Sequence, residues 1–236
     1  VTYGLTVEPT ASYWDAGEYI STSAKLQVGH PPGAPFFQMM GAVFSLFASN
    51  NESIAIAVNF LSVVSSAFVI LFLFWSTTLF LKKISKKNNF TNDTNILLSS
   101  SIGALAFTFS DSFWFNAVET EVYALAMLFL SATFWCGLRW EKDFDNKRGD
   151  KWLLLICFLI GLSFGVHFMA ILTIPAIGMI YFFKKYEKIT IKNFVLANII
   201  SVSILLFIFK LLLPSTLSLF GQLEVFFVNS ISLPFN

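Results

Sequence analysis

Five long stretches without a single Asp, Glu, Lys or Arg constrain this chain more than any other feature: Ser53 to Leu81, Thr94 to Ser110, Val122 to Leu138, Trp152 to Phe183 and Asn193 to Phe209. A bilayer core about 30 Å thick is crossed by about 20 apolar residues as helix, and in lipid only helices and closed barrels satisfy their own backbone. The first run is ample, and the 17-residue runs span with help from their flanks. The fourth, at 32 residues, would rise roughly 48 Å as one helix, so it reads as two short spans. Its break is expected near Val166 and His167, with Gly161 and Gly165 as weak points. Six spans result. A charged content of 12%, against about a quarter in soluble domains, excludes a water-soluble enzyme.

Loop charge sets the expected orientation. The segments Lys82 to Asn95, Arg139 to Lys151 and Lys184 to Lys192 hold 13 of the 15 Lys and Arg residues, and the positive-inside rule places all three in the cytoplasm. Residues 1–52, the link Asp111 to Glu121, the turn at His167 and residues 214–236 then share the opposite face. Ala34 to Ala48, too short to cross, is expected to lie along the interface as a short helix. The fold class is an all-α polytopic transmembrane bundle: an outer loop (1–52) with interfacial helices, six spans (53–213) and an outer tail (214–236). The chain starts at Val1 and reads as a fragment of a longer protein, with a lost span ahead of it. A net charge of +1 offers no surface for nucleic acid. Cys136 and Cys157 lie in apolar runs and give neither a disulfide framework nor a metal-ligand spacing.

The outer face keeps only Lys25 and Lys210 against eight acids: Glu8, Asp15, Glu18, Glu52, Asp111, Glu119, Glu121 and Glu224. Solvated loop acids explain most of them. In Pro9-Thr-Ala-Ser-Tyr-Trp-Asp-Ala-Gly-Glu-Tyr-Ile a helix is expected from Thr10 or Ser12 to about Gly29, with Ser12 and Asp15 at capping-box spacing. Asp15 and Glu18 would then share a face, flanked by Trp14 and Tyr19. Such a pair suits a general base or a divalent-metal cradle, and equally suits plain acids on a helix N-terminus. His30 sits in Val28-Gly-His-Pro-Pro-Gly-Ala-Pro, where Pro31 and Pro32 stiffen the turn. A structural histidine is the ordinary alternative. Glu119, Glu121 and Tyr123 stand at the mouth of a helix, and Glu119 four residues before Tyr123 would offer a carboxylate and a phenol from one helix face to a sugar hydroxyl. His167 is an ionisable group in an uncharged stretch, which marks it as a candidate.

The runs Glu8 to Ile20 and Lys25-Leu-Gln-Val-Gly-His-Pro-Pro-Gly-Ala-Pro resemble the signature of a bacterial family of large membrane proteins related to the animal transmembrane O-mannosyltransferases. Ala117-Val-Glu-Thr-Glu-Val-Tyr-Ala and Gly161-Leu-Ser-Phe-Gly-Val-His-Phe are similar to its later motifs. The resemblance implies a GT-C-like glycosyltransferase of the bacterial inner membrane with its site facing outward. It would transfer a sugar, mannose first among candidates, from a polyprenyl-phosphate donor to Ser or Thr of an exported protein, with inversion. Asp15 and Glu18 would occupy the catalytic-base or metal-ligand position, with Mg or Mn as the candidate ion there. Trp14, Lys25, His30, Glu119, Glu121, Tyr123 and His167 would bind substrate. Two rivals remain open: a transporter or flippase for lipid-linked sugars, and a non-catalytic membrane subunit of an envelope complex.

Overall fold

A computed structural model describes residues 1–88, 92–146 and 149–234 of the chain. These form two compact units, Val1–Thr173 and Ile174–Asn236, and among the described residues all regular structure is helical. The basic segments 82–95 and 139–151 lie partly outside the described residues.

The first unit opens with α1 (Thr2–Leu5), α2 (Ala16–Lys25) and α3 (Pro35–Ser45). The helix expected from Thr10 or Ser12 starts later, because Trp14 adopts φ +62° and a left-handed residue cannot belong to a right-handed helix. Asp15 is therefore the N-cap and no Ser12 capping box forms. Nor does α2 reach Gly29: Leu26, at φ +49°, ends it in the left-handed conformation. Pro35 opens α3, where its missing N–H costs no helical bond.

The long apolar runs become α4 (Ile54–Asn88), α5 (Asp93–Thr108), α7 (Val122–Lys142) and α8 (Gly149–Ser163), with α6 (Asp111–Val118) between α5 and α7. The stretch from Asp111, read as a link, is thus largely helical, bent 68° from α5 where Ser110 turns extended. After α8 the chain breaks through residues 164–167 into a 3-10 turn, Phe168–Leu172, at the place the glycines suggested. Gly165 is needed there for close approach: its carbonyl accepts the N–H groups of Phe36 and Phe37 at 2.8 and 3.2 Å, and a Cβ would sit 2.7 Å from that of Phe36. This contact ties the start of α3 to the broken segment. One buried cluster, including Tyr19, Phe37, Leu61, Val122, Phe129 and Val166, joins the N-terminal loop to the long helices.

The second unit holds most of α9 (Thr173–Lys185), then α10 (Ile191–Phe207), a π turn (Ile208–Leu212) and α11 (Leu213–Ile231). The residues after Pro214, read as a tail, continue the helix. A proline removes one backbone donor, and the wider π turn just before it takes up the mismatch. Among the described residues four helices are long and apolar enough to cross a membrane, or five if bent α5 and α6 form one span. A sixth would have to be α8, whose 15 residues rise only about 22 Å.

Candidate functional site

The first half of the site is built from the start of α2 and the turn that follows it. Asp15 spends no side-chain oxygen on capping, and Glu18 lies one turn on. The stiff Val28–Pro35 stretch folds back over both. The His30 backbone N–H donates to Glu18 Oε1 at 2.6 Å, and its Nδ1 lies 3.0 Å from Glu18 Oε2. His30 Nε2 is 3.8 Å from Asp15 Oδ2. Gly29 lets the turn pass this closely, since a Cβ there would meet the Gln38 amide nitrogen at 2.9 Å and Glu18 Oε1 at 3.0 Å. The His30 amide and ring hold the Glu18 carboxyl below its ordinary range, and Glu18 in turn raises the His30 imidazole. One ligand atom each from Asp15, Glu18 and His30 lies within 4.8 Å of the others. Two carboxylates and an imidazole suit a borderline divalent ion, yet the raised imidazole pKa favours a proton on His30, which competes with ligation.

The second half is the segment between α6 and α7. Glu119 and Glu121 both have extended backbone, and Glu119, Thr120 and Glu121 are all buried, at 3%, 0% and 6% exposure. The expectation that Glu119 and Tyr123 share a helix face fails, because α7 begins only at Val122. Burial raises the carboxyl of Glu121 to about 7; Asp15 and Glu119 add to the shift, while the backbone N–H groups of Asp15 and Val122 oppose it. Glu119 is raised too, chiefly by burial and further by Glu8. Tyr19, buried between the halves, is pushed up to about 12 by burial first and then by Glu121, Asp15 and Glu18.

These contacts bring Asp15, Glu18, His30 and Glu121 together around Tyr19. Tyr123 adjoins them, and its ring lies 5.7 Å from that of His167, whose Nδ1 is buried without a partner among the described residues. Beside Tyr123 opens an apolar cavity of about 440 Å³, lined by Phe107, Phe113, Met127 and Met169 with Ser110 and Asn116. Trp14 is fully displayed at 86% exposure. Lys25, in the last turn of α2, makes no ion pair among the described residues. Glu119 faces Ser12 and Glu8 more than the histidine side.

Sequence reasoning missed Asn59 and Thr120. Asn59, fully buried in α4, donates through Nδ2 to the Glu8 carbonyl at 2.6 Å and the Thr10 carbonyl at 3.0 Å, and its Oδ1 accepts the Thr120 hydroxyl. Glu8 N–H also donates to the Val118 carbonyl at 2.9 Å. The available signal was a carboxamide inside an otherwise uncharged apolar run, where a polar group needs partners.

Fold and site together define an α-helical integral membrane protein that gathers carboxylates and histidines from distant loops beside an apolar cavity. The chain belongs to the family of the protein O-mannosyl-transferase TMEM260 N-terminal domain, which it matches over residues 15–190. It is 26% identical to protein O-mannosyl-transferase tmem260 of Dictyostelium discoideum over 225 residues, covering 89% of this chain and 26% of that protein. With protein O-mannosyl-transferase TMEM260 of Mus musculus it shares 28% identity over 162 residues, 68% of this chain and 21% of that protein. The chain thus spans about a quarter of the length of these relatives. No solved structure matches it.

Proposed function

We propose that this chain carries the reaction centre of a membrane glycosyltransferase that moves mannose from a polyprenyl-phosphate donor to a Ser or Thr hydroxyl of an exported protein. The observation that carries the reading is the meeting of an exposed carboxylate, Asp15, with a buried one, Glu121, beside the Glu18–His30 pair. The names of both relatives support transfer of mannose to protein.

A hydroxyl is a poor nucleophile until a base lies within hydrogen-bond reach. Asp15, exposed and close to His30, is the base in this proposal, and Glu18 orients it by fixing His30. Trp14 offers a ring face to the sugar, and Tyr123 and His167 line the approach from the apolar cavity, which suits the lipid chain of the donor. Lys25 supplies a cation toward the departing phosphate. Attack from the face opposite that phosphate inverts the anomeric centre, as in a GT-C enzyme. The site faces away from the cytoplasm, in the bacterial inner membrane that the sequence resemblance implies. A divalent ion such as Mg or Mn would be held by the Asp15 and Glu18 carboxylates and would supply additional charge stabilisation.

The test is transfer from a radiolabelled polyprenyl-phosphate mannose to an acceptor peptide by the purified full-length protein. Labelled peptide is expected. Translocation of the lipid-linked sugar without transfer would overturn the reading in favour of a transporter.

A further inference from the structure

The two acidic segments of the site come from parts of the chain about a hundred residues apart, and neither is a regular element. Residues 8–15 and 119–121 are extended or turned, so no helical ladder fixes them, and direct bonds such as Glu8 N–H to the Val118 carbonyl join them only at their edges. Both meet one side chain. Asn59 uses both amide hydrogens on the Glu8 and Thr10 carbonyls and its oxygen on Thr120. That commits three of the four hydrogen bonds a carboxamide can make. The amide orientation is fixed as well, since the reversed group would set its oxygen against two carbonyl oxygens. Asn59 and Thr120 have no exposed surface, so water does not replace these bonds, and a buried polar group left unmatched is destabilising.

We propose that Asn59 is the positioning residue of the site: from the rigid α4 it holds the loop carrying Asp15 and the segment carrying Glu121 in mutual register. It reaches the reaction only through those two segments and touches no substrate itself. The inference rests on the transferase reading for its consequence in catalysis, although the register itself does not.

The test uses the full-length protein in detergent with four variants, Asn59→Leu, Asn59→Asp, Thr120→Val and Thr120→Ser. Amide hydrogen exchange is measured across residues 8–15 and 119–121, and transfer kinetics are measured alongside. Asn59→Leu and Asn59→Asp are expected to speed exchange in both segments at least tenfold while α4 and α7 keep their protection. Thr120→Val, which removes one bond at nearly constant shape, should speed exchange at 119–121 severalfold and lower kcat about tenfold with donor KM within twofold. Thr120→Ser restores the hydroxyl and should return both readings to the wild-type values. Unchanged exchange in Asn59→Leu and Thr120→Val would overturn the proposal, as would faster exchange with undiminished kcat. Should the Asn59 variants fail to fold, the Thr120 pair decides the matter alone. The exchange reading needs no sugar donor, so a wild-type protein inert toward that donor counts against the transferase reading and leaves the register test intact.

Discussion

Replacing Glu121 by Gln tests the electrostatics of the site directly. The carboxyl is 6% exposed and its pKa rises from an ordinary 4.5 to about 7, so the folded protein favours the protonated form. Below pH about 4.5 folded and unfolded chains are both protonated there, and the stabilisation is complete. As pH climbs through about 7 the folded protein must ionise a buried group, and the stabilisation is lost. At about 1.4 kcal/mol per unit, the shift amounts to about 3 kcal/mol between those limits. Gln is neutral at every pH and keeps a carbonyl to accept from the Asp15 and Val122 N–H groups. Glu121→Gln should therefore match wild type near pH 4.5 and exceed it by about 3 kcal/mol at pH 8. For a chain of this size that is roughly 6–12 °C in Tm. Thermal melts of the purified protein, followed by tryptophan fluorescence from pH 4.5 to 8.5, give the difference. The opposite trend from Glu18 is common to both proteins and cancels in it, and the His30 trend, which runs the same way as that of Glu121, cancels apart from the last and smallest part that Glu121 itself contributes. A difference that stays flat with pH would mean that Glu121 does not carry a raised pKa in the folded protein.

Gly29→Ala should disturb the site without unfolding the protein, because its Cβ would press on the Gln38 amide at 2.9 Å and Glu18 Oε1 at 3.0 Å; a Tm drop equivalent to about 1–3 kcal/mol and a loss of transfer are expected. Trp14→Ala should change stability by less than about 0.5 kcal/mol, since the indole is 86% exposed, while raising the donor KM in steady-state assays. His30→Gln keeps the backbone N–H that most lowers the Glu18 pKa and removes the imidazole that lowers it further, so NMR titration of the Glu18 carboxyl should show it moving up only part of the way to its ordinary value.

The helices were legible because a bilayer demands uncharged runs of fixed length, and the break in the 152–183 run was legible from its glycines. The ends were not. A left-handed Trp14 delays α2, Leu26 in the same conformation cuts it short, and a π turn carries α10 past Pro214; each depends on contacts or backbone geometry that residue type does not encode. The stiff turn at His30 and the neighbouring Asp15 and Glu18 were legible, but the pairing of Glu18 with His30 was not, because only the fold brings that turn back over α2. The importance of Glu121 over Glu119 was not legible either, because the two acids stand two residues apart in an extended segment and only the fold shows which one reaches Asp15. Asn59 was hidden for a related reason: a lone carboxamide in a span shows that partners are needed without showing where they lie.

In the proposed reaction Asp15 takes the proton from an acceptor hydroxyl during sugar transfer. Mannose transfer from polyprenyl-phosphate mannose to a Ser/Thr peptide, measured for the full-length protein and its Asp15→Asn variant at equal expression, decides whether it does. Labelled peptide is expected with wild type and none above background with Asp15→Asn. Equal transfer by the two proteins would show that Asp15 is not the base.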